Sequence, residues 1–119
     1  MKKEELRIGN FIMDSDTERV GHVIRLSEKK VSVKLEHSTL WQDIGEFEPI
    51  PLSEDLLLKC GFINDENAPW KLCNGMLVLN TGNHNTWEYG QSVIKDIKYL
   101  HTLQNVFFAL HHRELEVSI

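Results

Sequence analysis

Four residues near the C-terminus, His101, Asn105, Phe108 and His112, recur at i, i+4, i+7 and i+11, with Gln104 beside them. On a helix those positions share one face. Imidazole and carboxamide groups around an aromatic ring are recognition chemistry, with donors and acceptors set about an apolar anchor. A solvated helix face rarely carries a phenylalanine in its middle, so this face meets something. Three contacts fit. The stripe packs on the protein's own sheet or loop, with His101 and Asn105 bonding backbone groups there. Alternatively it is a partner or self-association surface anchored by Phe108, or His101 serves a small ligand as donor or acceptor.

The six histidines do not assemble into a metal site on spacing. His101 and His112 lie three turns apart on one helix, adjacent His111 and His112 point in different directions, and His84 falls in a loop. No H-x-x-x-H or carboxylate-histidine spacing occurs, so neither metal nor other cofactor is expected. Cys60 sits at a helix C-terminus, where the dipole opposes a thiolate, and Cys73 sits next to a hairpin turn without a marked charge partner. Both read as reduced, packed thiols. With no G-x-S-x-G elbow, Walker loop or G-x-G-x-x-G fingerprint, the reading is of a protein that is not an enzyme.

A second constellation suits nucleic acid. Arg25, Lys29, Lys30 and Lys34 form a local basic edge, and Trp41, Trp70, Trp87 and Tyr89 are available for base stacking. Glu28 and Glu36 flank the lysines, and a strand edge kept soluble by lysine explains the same residues. The chain as a whole is acidic, with a net charge of −5 spread over both halves, which argues against a basic arm.

The elements that must carry these residues follow from composition and pattern. At 119 residues, 41% apolar and 26% charged, the chain has the length and content of one globular domain, 1–119. No apolar run approaches the ~20 residues of a membrane span, and Met1-Lys2-Lys3-Glu4-Glu5 lacks the apolar stretch of a signal peptide. The expectation is a soluble, cytoplasmic protein.

Within residues 6–50 the periodicity is that of strands. Val31, Val33 and Leu35 alternate with Ser32, Lys34 and Glu36, and Val20, His22, Ile24 and Leu26 alternate with Gly21, Val23 and Arg25. Leu6 to Ile12 reads as a strand entered through a Gly-Asn bend, and Asp14-Ser15-Asp16 as a turn. Three or four short antiparallel strands make a small β-barrel or curled sheet. The pattern over about residues 6–36 resembles the opening of small barrels of the Src-homology, Tudor and KOW kind, a likeness of shape.

Residues 51–119 read as helix, hairpin and helix. Pro49 and Pro51 mark a junction, Ser53 caps a helix over about 54–60, and Gly61 with Phe62 ends it. Residues 64–69 read as a surface loop, Asn74-Gly75 as a hairpin turn, and Trp87-Glu88-Tyr89 as an edge strand. A strand over about 93–98, a helix over about 99–111 and a short closing strand at Leu115 and Val117 complete the pattern, although the segment from Val93 also fits a helix. Leu100, Leu103, Val106, Phe107 and Leu110 form the core stripe of the last helix. The fold expected is therefore α+β, with both parts on one core.

Tyr99-Leu100-His101-Thr102-Leu103-Gln104-Asn105-Val106-Phe107-Phe108-Ala109-Leu110, followed by Glu114-Leu115, resembles the closing block of a family of small uncharacterised proteins of Bacteroides-type bacteria, their phages and mobile elements. Leu6-Arg7-Ile8-Gly9-Asn10 resembles its opening block, and Glu48 to Leu52 with Leu57, Gly61 and Phe62 its middle one. The chain departs from that pattern at Cys60, Thr102 and His111-His112, where the family usually has a large apolar residue, Gln and Thr-Gly. The resemblance implies a setting and lends no catalytic residues. The first functional expectation is a non-catalytic accessory or adaptor protein of a phage or mobile element, binding a protein partner or itself through His101, Gln104, Asn105, Phe108 and His112. The alternative is a nucleic-acid binder using the N-terminal strands.

Overall fold

The computed structural model describes the backbone of residues 1–119 and every side chain except that of Asn83. The fold is α+β. Five short antiparallel strands, β1 (Phe11–Asp14), β2 (Val20–Leu26), β3 (Lys30–Lys34), β4 (Thr39–Asp43) and β5 (Phe47–Glu48), form a curled sheet in the order β4-β3-β2-β1-β5. Its inner face gathers Ile12, Val23, Val31, Val33, Leu35, Ile44 and Phe47 into one buried cluster. As the alternation of β3 predicts, Val31 and Val33 point in while Lys30 and Lys34 point out.

Strand β2 departs from its sequence pattern. The inward residues are Gly21 and Val23, whereas Val20 and Ile24 are exposed. The cause is a β-bulge between Val23 and Arg25, after which Arg25 pairs with Ser32 and Leu26 with Val31. One extra residue reverses the parity, so Arg25 faces solvent and Leu26 reaches the cluster. Gly21 is required by contact, since a Cβ there would lie 2.6 Å from both the Lys34 carbonyl oxygen and Val33 Cγ1. The strand expected from Leu6 starts only at Phe11, after a 3-10 turn over Lys3–Glu5 and a bend at Gly9.

After Pro51 comes α1 (Glu54–Lys59), with the Ser53 hydroxyl accepting from the Leu56 amide at 3.2 Å. Gly61 at φ +84° and the Phe62 amide bonded to the Leu57 carbonyl end it as the sequence predicts. A second antiparallel sheet follows: β6 (Ile63–Asp65), β7 (Ala68–Asn74), β8 (Leu77–Asn80), β9 (Thr86–Tyr89) and β10 (Ser92–Val93), in the order β10-β9-β8-β7-β6.

Three expectations are corrected here. Residues 64–69 are not a loop but the β6–β7 hairpin, which tolerates Pro69 because the register shifts there and no ladder amide is needed. The β7–β8 turn is Gly75-Met76, with Asn74 ending its strand and donating its carboxamide to the Cys60 carbonyl. β9 lies inside the sheet, between β8 and β10.

Of the expected 93–98 segment only Val93 is strand, together with Ser92 before it in β10. Beyond them the backbone is claimed by other partners: the Trp87 indole donates to the Ile97 carbonyl, and the Leu52 amide to that of Lys98. The last helix, α2 (Leu100–His111), lays Leu100, Leu103 and Phe107 on a cluster with Leu57, Phe62, Leu72, Leu77 and Trp87. Leu115 is buried in this cluster, but neither it nor Val117 forms a strand. The apolar interior is thus two clusters, one under each sheet, in a molecule 45 × 24 × 23 Å. No helix among the described residues is long and apolar enough to cross a membrane.

Candidate functional site

The stripe on α2 turns toward the protein's own N-terminal segment. Gln104 is buried, its Oε1 accepting from the Phe11 amide at 2.8 Å and its Nε2 donating to the Gly9 carbonyl at 3.0 Å. Asn105 Oδ1 accepts from Arg7 Nε at 3.0 Å and from Asn10 Nδ2 at 2.8 Å, while its Nδ2 donates to the Glu5 carbonyl. Arg7 forks onto the Glu114 carboxylate and lies over the Phe108 ring at 4.5 Å. The three elements close a polar joint.

His101 belongs to the same joint. It is 2% exposed, stacks on Tyr99 and stands 3.9 Å from the Glu5 carboxylate. Burial pushes its pKa down, opposed by Glu5. Gln104 and Asn105 are therefore spent on internal hydrogen bonds, whereas His101 bonds no backbone group among the described residues and its buried Nδ1 has no hydrogen-bond partner; of the five proposed contact residues only Phe108 and His112 are exposed. His112 ends α2 in the left-handed region at φ 57°, where a glycine is the usual residue. His111 turns the other way, stacking on Phe107 at 4.1 Å over Gly75.

The basic residues come together on the outer face of the first sheet. Register places Arg25 of β2 and Trp41 of β4 on either side of Ser32, with Lys30 and Lys34 two residues before and after it on β3. Along the strand the two lysines are about 13 Å apart. The Arg25 guanidinium lies 5.7 Å from the Trp41 ring centre and roofs Ser32, which is why this outward serine is only 8% exposed. Lys29, in the β2–β3 connection, adds a fourth cation. Asp43 faces Lys30 across the ladder, yet among the described residues none of the four cations is in an ion pair.

The stacking residues separate. Trp41 is 44% exposed within the basic face. Trp87 is buried in the other cluster with its indole bonded, Tyr89 packs edge-on against His111, and Trp70 lies on the second sheet. The sequence alone could not sort them, because burial is decided by the sheet each belongs to.

Neither thiol is activated: burial pushes Cys60 up to about 11 and also raises Cys73. No group of three or more metal-ligating side chains occurs among the described residues. A cleft between α1 and the second sheet was not foreseen from sequence. It is floored by Leu57, Leu72, Trp87 and Ile97 and rimmed by His84, Asp96 and Lys98. Comparison with protein-family models, curated proteins and solved structures finds no match for the chain.

Proposed function

We propose that the protein is a non-catalytic nucleic-acid-binding accessory protein, acting in the cytoplasm in the phage or mobile-element setting that the resemblance implies. One observation carries this reading: Arg25, Lys30, Lys34 and an exposed Trp41 share one face of one sheet, with none of the cations paired to a carboxylate among the described residues. Cations neutralise phosphates and release their counterions, while an exposed ring offers a base-stacking surface. The net charge of −5 restricts such binding to this local patch, so affinity must fall with salt.

The test is a fluorescence-anisotropy titration of labelled oligonucleotides with the whole chain. With four phosphate contacts, affinity for a single strand drops roughly 50-fold between about 50 and about 200 mM salt. Replacing Lys30 and Lys34 together by Ala weakens binding and flattens that dependence. Salt-independent binding, or none, contradicts the reading.

A protein-binding or self-associating adaptor is the second reading. Its support is a row on the outer face of the second sheet, where Ile63, Cys73, Val78, Glu88 and Val93 follow one another across five strands, the two ends each 68% exposed. It requires a mass that rises with concentration and returns to monomer in Ile63→Lys with Val93→Lys.

A further inference from the structure

We infer that the nucleic acid taken by the outer face of the first sheet is single-stranded, with one unpaired base stacked on the Trp41 indole and the phosphates on either side held by Lys30 and Lys34. This rests on the nucleic-acid reading above and adds to it the form of the ligand and the role of the ring.

Trp41 is the central residue of β4, an edge strand of the curled sheet. An exposed tryptophan on a strand edge is a solubility liability unless something covers it. The ring is already held by a cation: the Arg25 guanidinium lies against it, and the bulge in β2 is what turns Arg25 to that side. That contact steadies the ring from one side, and the residue is still 44% exposed, so a base has indole surface left to stack on. A base is planar, and its stacking on a ring is tolerant of sequence.

Duplex nucleic acid cannot use this arrangement. Its base faces are stacked inside, and only phosphates and groove edges reach a sheet surface. A duplex would meet Lys30, Lys34 and Arg25 and leave Trp41 idle. In a single strand the bases turn out, and two lysines on β3, about 13 Å apart at the backbone and on either side of the ring, can bring their flexible stems to phosphates on both sides of a stacked base. One ring with no carboxamide beside it on the face reads no base edge, so the site distinguishes strandedness and not sequence.

The test titrates wild type, Trp41→Ala and Trp41→Phe with single-stranded DNA, single-stranded RNA and a duplex of equal length, following anisotropy and tryptophan emission. Thermal melts of each variant check folding. Single strands should bind at least tenfold tighter than duplex and quench wild-type emission. Trp41→Ala should lose about tenfold on single strands and nothing on duplex, and Trp41→Phe should keep most of the affinity while losing the quench. Equal affinity for both forms, unaffected by Trp41→Ala but weakened by Lys30→Ala with Lys34→Ala, overturns the stacking inference and leaves the nucleic-acid reading standing. No binding of any oligonucleotide overturns both. Should Trp41→Ala fail to fold, the loss of the quench in Trp41→Phe and the single-strand preference decide, since Trp70 is also exposed and a wild-type quench alone does not single out Trp41.

Discussion

Asn10 and Asn105, 95 positions apart in the chain, meet side chain to side chain at 2.8 Å. That bond is the centre of the joint between the first sheet and α2. Asn10 is fully buried and also accepts from the Arg7 amide at 2.7 Å, so its carboxamide is read on both ends. The two buried clusters are separate, and this polar joint, together with Phe11 of β1 packed against the second cluster, ties the first sheet to α2. Directional bonds do what a shared apolar core would do without specifying an orientation.

Replacing Asn10 by Asp tests the joint with almost no change in shape. The donor to Asn105 Oδ1 becomes an acceptor, two oxygens face each other, and a charge is buried. We expect a loss of about 2 to 3 kcal/mol in urea unfolding at neutral pH. A loss below ~0.5 kcal/mol would show that the contact adds little.

His101 gives the joint a pH dependence whose sign is fixed. Burial lowers its pKa in the folded chain, so the unfolded chain takes up the proton at higher pH. Stability is then undiminished above the unfolded value of about 6.5, falls as pH drops through it, and levels off below the folded value. Comparing urea midpoints at about pH 7.5 and 5.5 should show a drop in wild type that shrinks in His101→Leu. An equal drop in both would place the titration elsewhere.

At the end of α2, His112 holds a left-handed conformation that costs a non-glycine residue free energy. His112→Gly should raise stability by roughly 0.5 to 1 kcal/mol, read as a higher thermal midpoint. A neutral or destabilising result would mean that the imidazole makes a compensating contact.

Gly21→Ala should be severe for a different reason. Its methyl group would need the Lys34 carbonyl and two side chains of the inner cluster to move. A loss on the order of 3 kcal/mol is expected, larger than a surface Gly→Ala change produces. Near-wild-type stability would show that β2 and β3 can part at little cost.

What the sequence made legible was local. Ser53, Gly61 and Phe62 bound α1 by capping chemistry, and Leu100, Leu103 and Phe107 mark the buried stripe of α2 by periodicity alone. The misses were non-local. A single bulged residue in β2 lets Val23 and Leu26 both turn inward and leaves Ile24 exposed, and nothing in the alternation of that strand announces it. Pro69 masked a hairpin because its tolerance depends on a register shift set by the partner strand. The stripe of His101, Gln104 and Asn105 was visible as a stripe, but its occupant, the segment Glu5 to Phe11, lies at the other end of the chain.

The most direct test of the central claim follows the three tryptophan indole N–H signals of the whole chain by NMR as an unlabelled single-stranded oligonucleotide is added. Trp87 serves as an internal control, since its indole is buried and bonded to the Ile97 carbonyl. The prediction is that the Trp41 signal moves to saturation together with the backbone amides of Arg25, Ser32 and Lys34, while Trp87 stays in place. Saturable shifts centred on Trp70 or α2, or no shift at all, would contradict the assignment of the first sheet's outer face as the nucleic-acid contact.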